Sequence, residues 1–451
     1  MSRFLLAALS MISIVARAQD QSAKKAERVM GMAIEAADDT GAAIKVVTTG
    51  AEFTFNREAG TIECSQRIPV ARKVAVISGV TLKGAILLER NTGDCKIRLV
   101  GVKDPLVVSR DSMLLLPHGA AAALEISGLY EPKHVSNDGT NFTLPDEIGG
   151  VGCYIVDDAK FEIPANWKAG WKLKYTFAKP SRTLISVFPP KPFDADQARQ
   201  TVLHSFSSNH PYPSDVELEQ WSKFGRVLIL HAWIWQGKSG KEFGMEQDDS
   251  WTTPKFEPKS EEEFLRVVKT AHKFKIKVLP YMSPLFSGGM GNDAFVKRVD
   301  EIMTKYGCDG VYFDELPHDI VRGYSVVRQV REMIGNDKIL FIHASSTPFG
   351  VAPCPSIECY ANYTYRGEHH RLDADYMRWL VSGFNLSNSV GTLVYDGCRV
   401  DKAVIDTALK AHVRLPFWVQ DGTWNTAKYY LTEEEQKMMF KYYFPALASE
   451  K

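Results

Sequence analysis

The feature that most constrains this chain is a change of rhythm after Lys179-Pro180. From there on, short apolar runs alternate with amphipathic helical stretches, the pattern of parallel βα units. Eight runs read as strands: Leu184–Phe188, Val227–Trp235, Lys277–Met282, Gly310–Asp314, Lys338–His343, Ser356–Asn362, Gly391–Asp396 and Leu415–Val419. Eight is the number that a closed (β/α)₈ TIM barrel requires, and about 270 residues is a usual size for that fold. The intervening helices have recognisable ends. Ser260 with Glu263 makes a capping box before Phe264–Phe274, and Asp293 opens a helix closed near Gly307. Another helix runs from about His318 to Gly335, and Thr432 with Glu435 caps the last. No glycine-rich phosphate loop follows the first strand, which argues against an open nucleotide-binding sheet.

The preceding part has a different period. Ile44–Val47, Glu52–Asn56, Thr61–Ser65, Val74–Ile77, Ala85–Glu89, Lys96–Val102, Ser112–Leu116 and Lys172–Phe177 read as strands of an antiparallel β-sandwich. Asn91-Thr-Gly93, Asn137-Asp-Gly139 and Gly149-Gly150 supply turns, and the helix signal is confined to Ser22–Ala36. The expected organisation is a multidomain β plus α/β chain: residues 1–18 a leader, 19–180 a β-sandwich, 181–451 a barrel. The leader reading rests on Arg3, the apolar run Phe4–Val15 and the small residues of Ala16-Arg-Ala18, the layout of a secretory signal peptide. That run is shorter than the roughly 20 residues that span a bilayer. The mature protein is therefore expected to be secreted or periplasmic, with no membrane span.

Lys+Arg and Asp+Glu both number 54, which speaks against a nucleic-acid partner held by a basic excess. Seven cysteines with no C-x-x-C spacing give little support to a zinc or redox centre, so no cofactor and no metal are expected. No G-x-S-x-G occurs. Asn141, Asn362 and Asn385 stand in Asn-x-Ser/Thr sites, which carry meaning only where the source glycosylates.

Barrel active sites sit at the C-terminal strand ends. Those ends read His231-Ala-Trp233-Ile-Trp235, Tyr281-Met-Ser, Tyr312-Phe-Asp314-Glu315, His343-Ala-Ser-Ser346, Glu358 through Glu368, Tyr395-Asp396 and Trp418-Val-Gln-Asp421. Strand alternation would put His231, Trp233 and Trp235 on one face. Aromatic rings offer faces for sugar stacking, and carboxylates bond hydroxyls. Cleaving a glycosidic bond needs an acid for the leaving oxygen and a second group to meet the developing positive charge. The predicted substrate is a carbohydrate. Candidate catalytic residues are Asp314 and Glu315. Candidate substrate-binding residues are His231, Trp233, Trp235, Tyr281, Tyr312, His343, Glu358, Tyr363, Glu368, Asp396, Trp418 and Asp421. Asp309, at the start of its strand, reads as structural.

The stretch Cys308-Asp-Gly-Val-Tyr-Phe-Asp-Glu-Leu-Pro317 resembles the fourth-strand motif of barrel glycoside hydrolases. In the clan with α-galactosidases and α-glucosidases a lone Asp there is the nucleophile. In the N-acetylhexosaminidase-like families an Asp-Glu pair takes its place. Asp314-Glu315 is similar to that pair, and Phe188-Pro-Pro-Lys-Pro192 after a β-sandwich looks like glycoside hydrolase family 123, which acts on N-acetylgalactosaminides. The resemblance implies Glu315 as proton donor and Asp314 orienting a substrate acetamido group. Two alternatives stay open: Asp314 as covalent nucleophile with Glu368 or Asp396 as acid/base, or a protein that binds a glycan without cutting it.

Overall fold

The computed structural model describes residues 28–419, apart from 157–158, 195–196, 198–199, 208, 224, 237, 240–247, 250–255, 288, 346–348, 351, 369–372, 384–385, 394–401 and 415–416. The leader, Ser346, Asn385, Asp396, Asp421 and the helix expected at Thr432 lie outside these residues. Among the described residues, three eight-stranded sheets account for most of the strands. Two are antiparallel throughout and share one apolar core, to which Phe53, Phe55 and Ile126 contribute from one sheet and Leu114, Phe142 and Val187 from the other. This is the expected β-sandwich. The sequence reading missed several of its strands, among them Leu106–Ser109, Ala123–Gly128 and Gly150–Ile155.

The third sheet is parallel throughout. In chain order its strands are β1 (Val202–Ser205), β2 (Val227–Leu230), β3 (Lys277–Met282), β4 (Gly310–Asp314), β5 (Ile339–His343), β6 (Tyr363–Arg366), β7 (Val390–Leu393) and β8 (Phe417–Val419). The spatial order runs β7-β6-β5-β4-β3-β2-β1-β8. Arg414, three residues before β8, makes an isolated parallel bridge to Thr392 of β7. The helices between strands include α1 (Asp215–Trp221), α2 (Glu261–Lys273), α3 (Asn292–Tyr306), α4 (Ile320–Ile334) and α5 (Pro355–Glu358). Their ends follow local chemistry. Ser260 Oγ accepts the Glu263 N–H at 3.2 Å, and Asp319 accepts that of Arg322 at 2.9 Å. Gly307 ends α3 in the left-handed conformation at φ 68°.

Three strand or helix expectations are corrected. Ser181–Phe188, which contains the run read as the first parallel strand, pairs antiparallel with Met113–His118 and Gly150–Ile155. Its alternate residues feed two cores: Ile185 and Val187 face the sandwich, Leu184 the parallel-sheet unit. Burial on both faces gives it the unbroken apolar look of a parallel strand, and it carries the antiparallel part past residue 180 to Phe188. Ser356–Asn362 is not a strand, because Pro355 starts the short helix α5 and the strand begins at Tyr363. The span read as an N-terminal helix, Ser22–Ala36, runs at its end into an edge strand, Ile34–Asp39.

The sandwich is locked onto the parallel unit by buried and half-buried polar contacts. Arg328 of α4 makes a two-pronged ion pair with Asp94, at 2.9 and 3.0 Å. Asp111 accepts hydroxyl bonds from Tyr324 and Tyr360, both at 2.7 Å. Burial pushes the Asp111 carboxyl up to about 6, against the pull of Arg328 and the two tyrosines. A folded-state value above the unfolded one means that the native state gains stability as pH falls from about 6 towards 3.8. Asp111→Asn removes this titration. The difference in unfolding free energy between native protein and variant should therefore change by on the order of 2–3 kcal/mol between neutral and mildly acid pH, in favour of the native protein as pH falls. Denaturant titrations across that range check it.

Candidate active site

Parallel register assembles the site. Asp314 at the end of β4 lies beside His343 at the end of β5, which lies beside Tyr365 of β6. Tyr281 of β3 lies beside Tyr312 of β4. Neighbouring strands therefore present one row of polar side chains at their C-terminal ends.

Asp314 is 6% exposed and held on three sides. His343 Nδ1 contacts Oδ1 at 2.8 Å, the Tyr281 hydroxyl donates to Oδ2 at 3.0 Å, and the Tyr312 hydroxyl reaches Oδ1 at 3.4 Å. On an uninterrupted strand Glu315 would point away from Asp314. Instead Glu315 takes a left-handed backbone conformation at φ 63°, unusual for a non-glycine residue, and the chain turns. Its Oε1 accepts the Ser345 N–H at 3.2 Å, which keeps the carboxylate on the His343 side. Glu368, two residues beyond β6, reaches back to His343 Nε2 at 3.0 Å. Nε2 also lies 3.0 Å from Ser345 Oγ. The donor atoms of Glu315, His343 and Glu368 all lie within 4.8 Å of one another. That spacing would also suit a cation, with one ligand atom from each of the three residues.

Burial opposes a charge on His343. Its bonds to Asp314 and Glu368, with the charge of Glu315 beside it, outweigh that and hold its pKa well above the usual histidine range. The floor below is neutral and aromatic. Burial pushes His204 down to about 3 and His231 well below its ordinary value, the nearby histidines adding to both shifts. Burial and the Asp314 charge raise the Tyr281 and Tyr312 phenols far above theirs. His204 packs at 5.2 Å from the Tyr312 ring and 5.1 Å from that of His231.

Of the residues expected at the mouth, Asp314, Glu315, His343, Glu368, Tyr281, Tyr312 and His231 come together. Others do not. The alternation expected for His231, Trp233 and Trp235 fails because β2 ends at Leu230 and Ala232–Ile234 form a 3₁₀ turn. Trp235 is turned into the core, its indole N–H donating to the Tyr281 carbonyl at 2.7 Å, whereas Trp233 stays half-buried beside Phe206. Tyr363 stands at the start of β6, away from the mouth, its hydroxyl bonded to the Gln197 carbonyl. Glu358 is a buried ion-pair partner of Arg366. Only the backbone of Trp418 is described. Asp309 is structural, bonded to His272 and to the Val278 N–H. Asn141 and Asn362 are buried, and Asn362 is taken up by Arg331 and the Leu340 N–H, so neither side chain is presented for glycosylation.

Three residues of the site escaped the sequence reading. His204 was hidden because Val202–Ser205 was passed over as a strand. Ser345, through its N–H and hydroxyl, and Arg366, through the Ala344 and Phe349 carbonyls, make contacts that a linear motif does not reveal.

No protein-family model matches this chain, and no curated protein matches it. Solved structures that resemble it include a cycloalternan-forming enzyme from Listeria monocytogenes in complex with a pentasaccharide substrate, at 8% identity and TM-score 0.43, covering 92% of this chain and 54% of that one. A GH31 dextranase from Flavobacterium johnsoniae complexed with glucose matches at 8% identity and TM-score 0.32, covering 86% and 53%. The chitinase domain of the spore coat protein CotE from Clostridium difficile matches at 14% identity and TM-score 0.29, covering 48% and 65%. The chain spans about half the length of the first two. At such values the chemistry has to be argued from the site itself.

Arg366 supports this site from below. Its guanidinium, wholly buried, bonds Glu358 and the carbonyls of Ala344 and Phe349, the first of which lies between His343 and Ser345. Arg366→Met should destabilise by about 3–5 kcal/mol, because Glu358 is left charged and unpaired in the interior. Adding Glu358→Leu should recover much of that loss, as measured by chemical denaturation of the single and double variants.

Proposed function

We propose that this chain is a glycoside hydrolase, retaining at the anomeric carbon, with Glu315 as acid/base and Glu368 as the facing carboxylate. The observation that carries the reading is the approach of these two side chains from the loops after β4 and β6, with donor atoms within 4.8 Å. A separation of about 5–5.5 Å is the retaining geometry, whereas inversion leaves room for a water at about 6.5–9.5 Å. The Glu315 proton passes to the glycosidic oxygen as its bond to the anomeric carbon breaks, and the leaving oxygen takes the electron pair. A Glu368 oxygen bonds to the anomeric carbon. Water, deprotonated by Glu315, then displaces Glu368 and releases the sugar.

The engagement of both Asp314 oxygens by His343, Tyr281 and Tyr312 favours this version over attack by Asp314. It also weighs against Asp314 receiving the N–H of an acetamido group, as the N-acetylhexosaminide reading requires. The Thr392–Arg414 bridge supports reading the parallel sheet as a closed (β/α)₈ barrel. The sandwich is then a separate domain ending after Phe188, and the Arg3-led apolar segment supports export. Among the rim tryptophans whose side chains are described, half-buried Trp233 is the better placed to stack on a sugar.

Glu315→Gln and Glu368→Gln should each lower kcat at least about 100-fold on a responsive glycoside while leaving the melting temperature close to that of the parent. A 2-fluoro glycoside should label Glu368, as read by peptide mass spectrometry. Label on Asp314 would move the nucleophile there, and full activity in both variants would remove this site from consideration.

A further inference from the structure

Resting on that reading, we propose that Glu315, His343 and Glu368 also form a binding site for one divalent transition-metal ion of the Zn²⁺ class, and that this ion competes with the glycoside by occupying both catalytic carboxylates. Among the described residues, no other three histidine, cysteine or acidic side chains bring their ligand atoms within 4.8 Å of one another. The donors come from the ends of three consecutive parallel strands: Glu315 follows β4, His343 ends β5 and Glu368 stands two residues beyond β6.

The spacing fits an ion of that size. Zinc bonds of about 2.0–2.2 Å to nitrogen and oxygen put two ligands of a tetrahedral ion roughly 3.4 Å apart. His343 Nε2 and Glu368 Oε2 already stand 3.0 Å from each other, so an ion between them parts them by only about half an ångström. One imidazole with two carboxylates is a nitrogen and oxygen donor set. It suits zinc, manganese or iron(II) better than calcium or magnesium, whose protein ligands are oxygens. On binding, the ion bonds to Nε2 and the proton held there leaves to solvent, while Glu368 exchanges its hydrogen bond with the ring for a bond to the ion. Neither carboxylate has to be bare for this. Each has two oxygens and about four lone-pair sites, so Glu315 can meet the ion while its Oε1 keeps the Ser345 N–H.

His343 separates this cluster from a gathering of acids. Its other nitrogen, Nδ1, stands 2.8 Å from Asp314 Oδ1, and the Tyr281 hydroxyl fixes that carboxylate in turn at 3.0 Å. A carboxylate behind a ligating histidine sets the ring's tautomer and aims Nε2 at the metal. Asp314 is therefore an orienting group outside the ligand set. Ser345 Oγ, 3.0 Å from Nε2, adds an oxygen beside the ion's position. By contrast, His210 with Glu217 and His272 with Asp309 are surface pairs that belong to no group of three among the described residues.

Calorimetric titration of the whole protein with ZnCl₂ should show one ion bound per chain. His343→Gln should weaken that binding at least about 100-fold, and Asp314→Asn, which keeps the ligands but loosens the ring, about 10–100-fold. His272→Gln should leave it unchanged. If the variants do not fold, zinc-soaked crystals of the unaltered protein decide, by an anomalous peak within about 2.2 Å of Nε2 and of an oxygen from each glutamate. On a responsive glycoside, Zn²⁺ should raise KM severalfold with kcat unchanged. No stoichiometric binding, or binding that survives in His343→Gln, overturns the proposal. Zinc bound at the cluster with KM unmoved overturns the competition, and with it the catalytic assignment of the two glutamates. No zinc at the cluster, while Glu315→Gln and Glu368→Gln lose activity, overturns this inference alone.

Discussion

The register between β4 and β5 is the constraint on which the rest of the site depends. Parallel pairing sets Asp314 opposite His343 with no slack, since a slip by one residue would exchange every inward side chain for an outward one. From that pairing follows a line of hydrogen bonds, Asp314 to His343 to Glu368, which spans the ends of three adjacent strands. Glu315 joins it because the backbone turns into the left-handed region immediately after the strand. That conformation costs roughly 1–2 kcal/mol for a side chain with a Cβ, and the Ser345 N–H bond is part of what offsets it.

The surroundings keep this line in place. Arg366 holds the Ala344 carbonyl and Glu358 beneath it, and the described tyrosines and histidines of the floor are uncharged. Farther out, the sandwich grips α4 through Arg328 and Asp94 and through Asp111 with Tyr324, and Asp111 also holds Tyr360 just after α5. It also touches the segment around α5, where the Thr143 hydroxyl and the Tyr154 hydroxyl meet the Pro353 carbonyl at 2.6 and 2.5 Å. The sandwich thus braces the stretch that leads into β6, and Glu368 follows that strand. The sandwich, which has none of the described site residues, still contributes to the placement of one.

Much of this was legible in the sequence, and the failures have physical causes. The β4 motif stood out because a turn glycine, an apolar core and a carboxylate pair fall in a few consecutive residues. The helix after Ser260 was readable because its cap is local, and the one closed at Gly307 because a glycine takes the left-handed turn there. Ser181–Phe188 misled because it lies between two cores and so lacks the alternation that marks a half-exposed strand. Val202–Ser205 was overlooked because it is short and carries a histidine where an aliphatic residue would be expected, and with it went His204. Glu368 was named among the rim residues, but its nearness to Glu315 arises from two loops meeting across β5, which no spacing along the chain encodes. Trp235 and Glu358 looked like ligand-binding residues by type, yet a carbonyl and a guanidinium in the interior claim them.

The most direct measurement is the crystal structure of the Glu315→Gln protein with an uncleaved oligosaccharide. The account predicts the scissile oxygen about 3 Å from the residue 315 side chain, with a Glu368 oxygen facing the anomeric carbon from the other side of the sugar. A saccharide seated away from these strand ends, or one whose anomeric carbon faces neither glutamate, would contradict it.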